Sequence, residues 1–183
     1  TQQKDGGWNI YYKGPAEISV TVKCYFALKL AGYSKDDHFM RKARRCILDL
    51  GGITEANTFT KIYLSIFGQF DWRGIPALPI DIVLLPNSFY FNIYEMSYWS
   101  RCIVVPLGII MAMKPRFNIG GEAALDELYV VQKDKVSYRL ERDSGRFSIK
   151  NIFIVLDSIL RRYEKSPFVP LRKLAIEKAE KWL

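Results

Sequence analysis

The chain has 183 residues and a mass of 21.2 kDa, the size of one domain or of part of a larger one. At 49% apolar it can bury a sizeable core, which sets aside a disordered chain, and its formal net charge of +8 admits anionic partners, nucleic acid or phospholipid headgroups, although a basic surface alone accounts for it. Its three cysteines cannot all pair with one another; each lies among apolar residues, so reduced and buried thiols of a cytosolic protein are expected, with neither signal peptide nor membrane-spanning segment.

Near the start, Gln2, Gly6 and Trp8 stand in the spacing Q-x3-G-x-W, which by itself reads as a turn ahead of a tryptophan. Gly14-Pro15 predicts a helix start with proline at the favoured first position, running through Ile18, Val22, Tyr25 and Phe26 to Leu30, with Gly32 as its C-cap. Ser34 and Asp37 resemble a capping box for a second helix, whose apolar face is Phe39, Met40, Ala43, Cys46, Ile47 and Leu50 and whose stop is Gly51-Gly52. A third helix carries Phe59, Ile62, Tyr63, Ile66 and Phe67 at the same spacing. Glycine and three prolines between Asp71 and Pro86 predict a loop with at most a short helix near residues 80–85.

Next comes the stretch around which the chain is organised, 89–101, continuing into an apolar run that ends at Met113. Asn92 with Glu95 three residues later predicts a helix start there. Beyond Arg101 the run is apolar on every side, which suits a buried or membrane helix. Twelve residues from Cys102 to Met113 make about 18 Å of helix, short of a bilayer core of roughly 30 Å. Pro106 would kink it, so a bent core helix over 91–113 is expected. A weaker helix is predicted over 122–132, then a polar connection over 133–146. Ile149, Ile152, Phe153, Leu156, Ile159, Leu160 and Tyr163 mark a strongly amphipathic helix with Arg161, Arg162 and Lys165 at its end. Pro170 opens a last helix through Leu174, Ala175 and Ala179 to Trp182. Every well-periodic segment is helical, and antiparallel helix pairs on short glycine turns suggest stacked hairpins.

Asn92-Ile93-Tyr94-Glu95 followed by Trp99-Ser100-Arg101 resembles the corresponding segment of the squalene–hopene cyclases, in the terpene cyclase/mutase family. Gln2, Gly6 and Trp8 resemble the second half of that family's QW repeat, and residues 178–183 around Trp182 resemble its first half. Lys42-Ala43 with Gly51-Gly52 resembles a degenerate copy lacking both glutamine and tryptophan. The resemblance implies an all-α fold, part of an α/α barrel or toroid of antiparallel hairpins, with residues 1–183 as a single fragment cut inside a repeat at each end. It also implies that the repeat's glutamine caps a helix and stacks on the tryptophan.

Polycyclisation of a polyene needs a strong acid and a dry pocket whose aromatic faces stabilise a migrating cation. In the family that acid belongs to a D-x-D-D motif, and this sequence contains none; Asp36-Asp37 reads as a solvated helix start. No catalytic residue is therefore expected within the chain, which should be inactive alone. By resemblance, Trp99 and Phe59 line the substrate cavity, with Tyr63 and Tyr94 beside them; core packing is the plain alternative for each. Tyr63 stands where the best-matching family segment has tryptophan, and Asn57 where it has arginine. Ile152, Phe153, Leu156 and Leu160 would face a membrane, since the family is monotopic and the helix falls in the matching region, whereas the residues alone favour a helix packed on its neighbours. The lone His38 pairs with no nucleophile, the cysteines lack metal-ligand spacing, and no phosphate loop is present, so neither metal nor cofactor is expected.

The expected partners are squalene or a related isoprenoid, a membrane surface, the remainder of a longer chain and a second copy in a homodimer, at the cytoplasmic face of a bacterial inner membrane. The competing reading is a non-catalytic toroid that binds lipid. A nucleic-acid binder is disfavoured because the basic residues are scattered and the aromatics sit on apolar faces. A zinc prenyltransferase on a similar toroid is disfavoured by the missing ligand cluster.

Overall fold

A computed structural model describes residues 1–89, 92–138, 148–164 and 170–182. Among them every regular element is helical, and the fold is all-α. The α-helices are α1 (Ile18–Leu30), α2 (His38–Asp49), α3 (Thr58–Ile66), α4 (Tyr98–Met113), α5 (Ile149–Glu164) and α6 (Pro170–Trp182), interspersed with short 3-10 turns. The chain divides into two compact units: Thr1–Ile75 with Arg116–Tyr138, and Pro76–Pro115 with Arg139–Leu183.

In the first unit α1 and α2 form a hairpin whose facing side chains, Val22, Tyr25 and Phe26 with Met40, Ala43 and Ile47, are fully buried. α1 starts three residues later than the Gly14-Pro15 signal predicts. Gly14 N–H closes a turn onto the Tyr11 carbonyl at 2.9 Å, and the Glu17 carboxylate caps the helix by accepting from Val20 N–H at 2.7 Å. α2 likewise starts late. Asp37 is its N-cap, and the Asp37 carboxylate reaches back to the Ser34 N–H, so the Ser34–Asp37 pair builds the preceding turn instead of the first helical turn. At its end the predicted stop holds: Gly51 and Gly52 both have positive φ, and Gly52 N–H bonds the Ile47 carbonyl at 2.8 Å. α3 is capped by Asn57, whose side chain accepts from Thr60 N–H, while Asn57 N–H donates to Ser19 Oγ and so ties α3 to α1.

Residues 116–138 return to this unit. The helix predicted over 122–132 is absent; two separate 3-10 turns, Gly121–Ala123 and Asp126–Leu128, stand there. The cause is Gln69, whose side-chain oxygen takes the Leu125 N–H at 2.9 Å while its carbonyl takes the Tyr129 hydroxyl. Those tertiary bonds hold the segment at the two turns against Gln69. Lys133–Lys135 is one further turn, and residues 139–146 of the predicted polar connection lie outside the described residues.

The second unit has its core where the 3-10 turn Ile80–Leu84 meets α4 and α6, with Ile80, Val83, Ile93, Val105, Ala175 and Ala179 buried. Here the expected bent core helix over 91–113 is corrected twice. α4 starts at Tyr98, capped by Ser97, whose hydroxyl accepts from Ser100 N–H. Asn92 does make cap-like bonds, to Tyr94 and Glu95 N–H at 2.9 and 3.1 Å, but its amide also donates to the Asn87 and Phe89 carbonyls, which closes a turn. α4 is moreover a surface helix: Val105, Gly108 and Met111 are buried, whereas Tyr98, Trp99, Cys102 and Ile103 are exposed. The expectation of three buried thiols is met by Cys46 alone; Cys24 is half-buried.

Candidate functional site

The Q-x3-G-x-W segment is a clasp over the α1–α2 hairpin. Gln2 Nε2 donates to the Gly6 and Phe39 carbonyls, both at 2.8 Å, so its bonding partners are carbonyl oxygens, one of them in the first turn of α2. Gly6 has φ of 93° and lies so close to α2 that an added Cβ would stand 2.5 Å from the Lys42 carbonyl oxygen. Only glycine fits there. Trp8 is sewn to α1 through its N–H on Thr21 Oγ1 and its carbonyl on the Glu17 N–H.

The aromatic residues singled out as cavity wall fall in both units, Phe59 and Tyr63 in the first, Tyr94 and Trp99 in the second. On α3, Phe59 and Tyr63 lie one turn apart and are 62% and 41% exposed. Tyr63 meets Phe26 and Phe67 edge-on, with ring centroids 6.1 and 5.1 Å away. Trp99, in the first turn of α4, is 76% exposed. Neither Phe59 nor Trp99 is thus consumed by core packing within this chain. Tyr94 sits in the turn before α4 with the Lys178 ammonium 5.6 Å from its ring centre. Trp182, at the end of α6, lines a shallow cavity with Tyr98, Arg101 and Cys102.

Of the predicted membrane-facing residues on α5, Ile152, Phe153 and Leu156 are exposed, joined by Val155 and Ile159, while Leu160 is half-buried. The opposite edge of α5 is fastened down. The Asp157 carboxylate accepts from Ala77 N–H at 2.7 Å and from Arg161 Nε at 2.6 Å, and Glu164 meets Lys114 at 3.3 Å. A broad apolar stripe therefore faces away from the bonds that hold the helix. Among the described residues no helix is long and apolar enough to cross a membrane.

Titratable groups with displaced pKa values serve the scaffold. Burial drives the Tyr25 and Tyr129 phenols up. For Glu127, burial pushes upward, but bonds from Lys29, its own backbone and Tyr25 outweigh it and hold the carboxyl below the usual range. His38 is exposed at the start of α2, and Asp36 lies in the turn before it. Among the described residues no group of three His, Cys, Asp or Glu side chains could hold a metal ion. What the geometry offers is apolar and aromatic surface. Sequence reasoning placed Phe67 only on the apolar face of the third helix and passed over Phe117; the signal for Phe67 is its place eight residues after Phe59 on that face.

Comparison with known proteins gives the same direction. The family model of the squalene–hopene cyclase N-terminal domain matches residues 1–183. Dammaradiene synthase from Dryopteris crassirhizoma is 38% identical over 97% of the chain, a quarter (26%) of that protein's length. A squalene–hopene cyclase of Zymomonas mobilis is 38% identical over 92% of the chain and 25% of its own length, and that of Alicyclobacillus acidocaldarius is 35% identical over 100% of the chain and 28% of its own length. The chain spans about a quarter of the curated relatives it matches.

Proposed function

The chain belongs to the squalene–hopene cyclase N-terminal domain family, and from that premise we propose that it is part of a triterpene cyclase that folds squalene or a related isoprenoid into a polycycle through carbocations. The observation that carries this reading is the family-model match over residues 1–183, beside 38% identity over 169 residues and 35% over 182 residues to two proteins named as squalene–hopene cyclases. The share of this chain in the chemistry is wall, not acid. Its sequence holds no D-x-D-D, so the proton donor belongs to another part of the parent. Trp99 and Phe59, with Tyr63 and Tyr94, present π faces to the substrate, and each desolvated ring can stabilise a passing cation by about 2 kcal/mol. The exposure of Phe59 and Trp99 leaves their rings free of this chain's core and available to a substrate.

α5 is the proposed membrane contact. Its stripe of Ile152, Phe153, Leu156 and Ile159 suits an interfacial helix that supplies apolar substrate from the bilayer without crossing it. The same stripe also suits a non-catalytic lipid-binding toroid, the second reading.

Turnover decides between the two. The full-length parent incubated with squalene should yield cyclised product, and Trp99→Leu should lower kcat roughly thirtyfold, the rate equivalent of one lost cation–π contact. The 183-residue chain alone should give no product. A parent that binds vesicles yet leaves squalene intact would establish the lipid-binding reading instead.

A further inference from the structure

Four rings at the end of α3, those of Tyr63, Phe67, Phe26 and Phe117, form a connected cluster. Phe59, Tyr63 and Phe67 recur every four residues along one helical face, and the Tyr63 and Phe67 rings meet there. Phe67 stands at the C-cap of α3, its ring centroid 5.1 Å from Tyr63 at an interplanar angle of 68° and 5.6 Å from Phe26. Phe26 is fully buried and also meets Tyr63, at 6.1 Å and 79°. Three rings thus contact one another pairwise, with the immobile one beneath. On the far side Phe117 lies 6.5 Å from Phe67, and its N–H donates to the Ile66 carbonyl at 2.7 Å, closing the end of α3 over the cluster.

A tyrosine held by two edge contacts has little freedom to rotate about χ1 and χ2. Half-exposed, it would otherwise sample several rotamers, and a cation passing its ring would meet the π face only part of the time. Orientation is worth most where the stabilised charge is transient. We infer that Phe67, seated on Phe26, is a positioning residue that fixes the Tyr63 ring against the substrate and so helps determine where cyclisation stops. This rests on the reading of Tyr63 as cavity wall. Phe67 itself touches Tyr63 and not the substrate.

The test uses the full-length parent with squalene and four variants: Phe67→Leu, which removes the ring and keeps apolar bulk; Phe67→Tyr, which keeps the ring; Tyr63→Leu; and the Phe67→Leu/Tyr63→Leu pair. Phe67→Leu should lower kcat about tenfold with KM changed less than twofold, and raise the fraction of incompletely cyclised product. Phe67→Tyr should restore both. In the Tyr63→Leu background the Phe67 change should have no further effect on the product ratio, because the ring it positions is gone. If Phe67→Leu lowers only the melting temperature, or its effect is additive with Tyr63→Leu, Phe67 is ordinary packing and the inference fails while the wall assignment stands. A Tyr63→Leu variant with wild-type rate and products would overturn the wall assignment and this inference together. Should Phe67→Leu not fold, Phe67→Met, which fills the same space with a flexible chain, carries the same expectations.

Discussion

Lys29 and Glu127 meet at 2.8 Å with side chains only 7% and 18% exposed, and the Tyr25 hydroxyl donates to the same carboxylate oxygen at 3.0 Å. This cluster joins α1 to the returning segment 116–138, so losing the carboxylate leaves a buried ammonium without its counter-charge. Glu127→Leu in the parent should cost about 3–5 kcal/mol, read as a lower urea midpoint. Because the folded state holds this carboxyl below its ordinary pKa, its contribution is complete above about pH 4.3 and is lost as the pH falls through the folded value. Glu127→Gln should therefore flatten the acid limb of the stability curve and leave the neutral limb's slope unchanged; an acid limb as steep as wild type would refute the assignment. None of this was legible in the sequence, where Lys29 and Glu127 are ordinary surface-type residues 98 positions apart. The Q-x3-G-x-W residues read alone gave only a turn, because the contact that demands glycine at Gly6 is tertiary, with the Lys42 carbonyl on α2.

Helix interiors were readable, as were the starts of α5 at Ile149 and α6 at Pro170, whereas the starts of α1, α2 and α4 were not. Periodicity located the six α-helices of the described residues, because a face of apolar side chains must repeat at helical spacing to be buried. Capping residues misled at α2 and α4 because an Asx or Ser side chain can bond nearby N–H groups whether or not a helix follows, and at α1 the Gly14-Pro15 pair misled because Gly14 N–H closes a turn onto the Tyr11 carbonyl instead. Asn92 spends its oxygen on a turn, and Ser97 takes the cap. Burial was likewise misjudged for α4, whose Tyr98, Trp99, Cys102 and Ile103 are exposed. For α5 the readable feature was the stripe and the unreadable one was the anchor. Asp157 is bonded to Ala77, 80 residues earlier. Asp157→Ala removes that acceptor and the Arg161 partner, so it should weaken the seat of α5 by about 1–3 kcal/mol. Hydrogen exchange on the parent should show faster exchange over 149–164 with α1 to α3 unchanged. Uniform acceleration across the chain, or none on α5, would show that Asp157 is not the anchor.

At the scale of the whole molecule, each unit buries a core of its own and still leaves large apolar side chains in water: Phe59 and Tyr63 on α3, Tyr98, Trp99, Ile103 and Met113 on α4, Ile152, Phe153, Leu156 and Ile159 on α5. Scattered exposed apolar residues are normal, but contiguous helical stripes mark surfaces that something covers. The chain accounts for about a quarter of its relatives' length, and the proposed cover is of two kinds, substrate and parent chain over the aromatic wall and lipid over α5. The two kinds are separable. The isolated 183-residue chain should self-associate, with a light-scattering mass that rises with concentration. Phospholipid vesicles should take up the α5 share of that association, and Phe153→Glu with Leu156→Glu should abolish vesicle binding while leaving the α3 and α4 stripes to self-associate. The net charge of +8 predicts some vesicle binding through headgroups alone, so the comparison belongs at 0.5 M salt or so, where surface attraction is screened and burial of apolar area is not. A chain that stays monomeric at tens of micromolar, or a double variant that binds vesicles as wild type does, would mean that the α5 stripe is closed within the chain or meets protein instead of lipid.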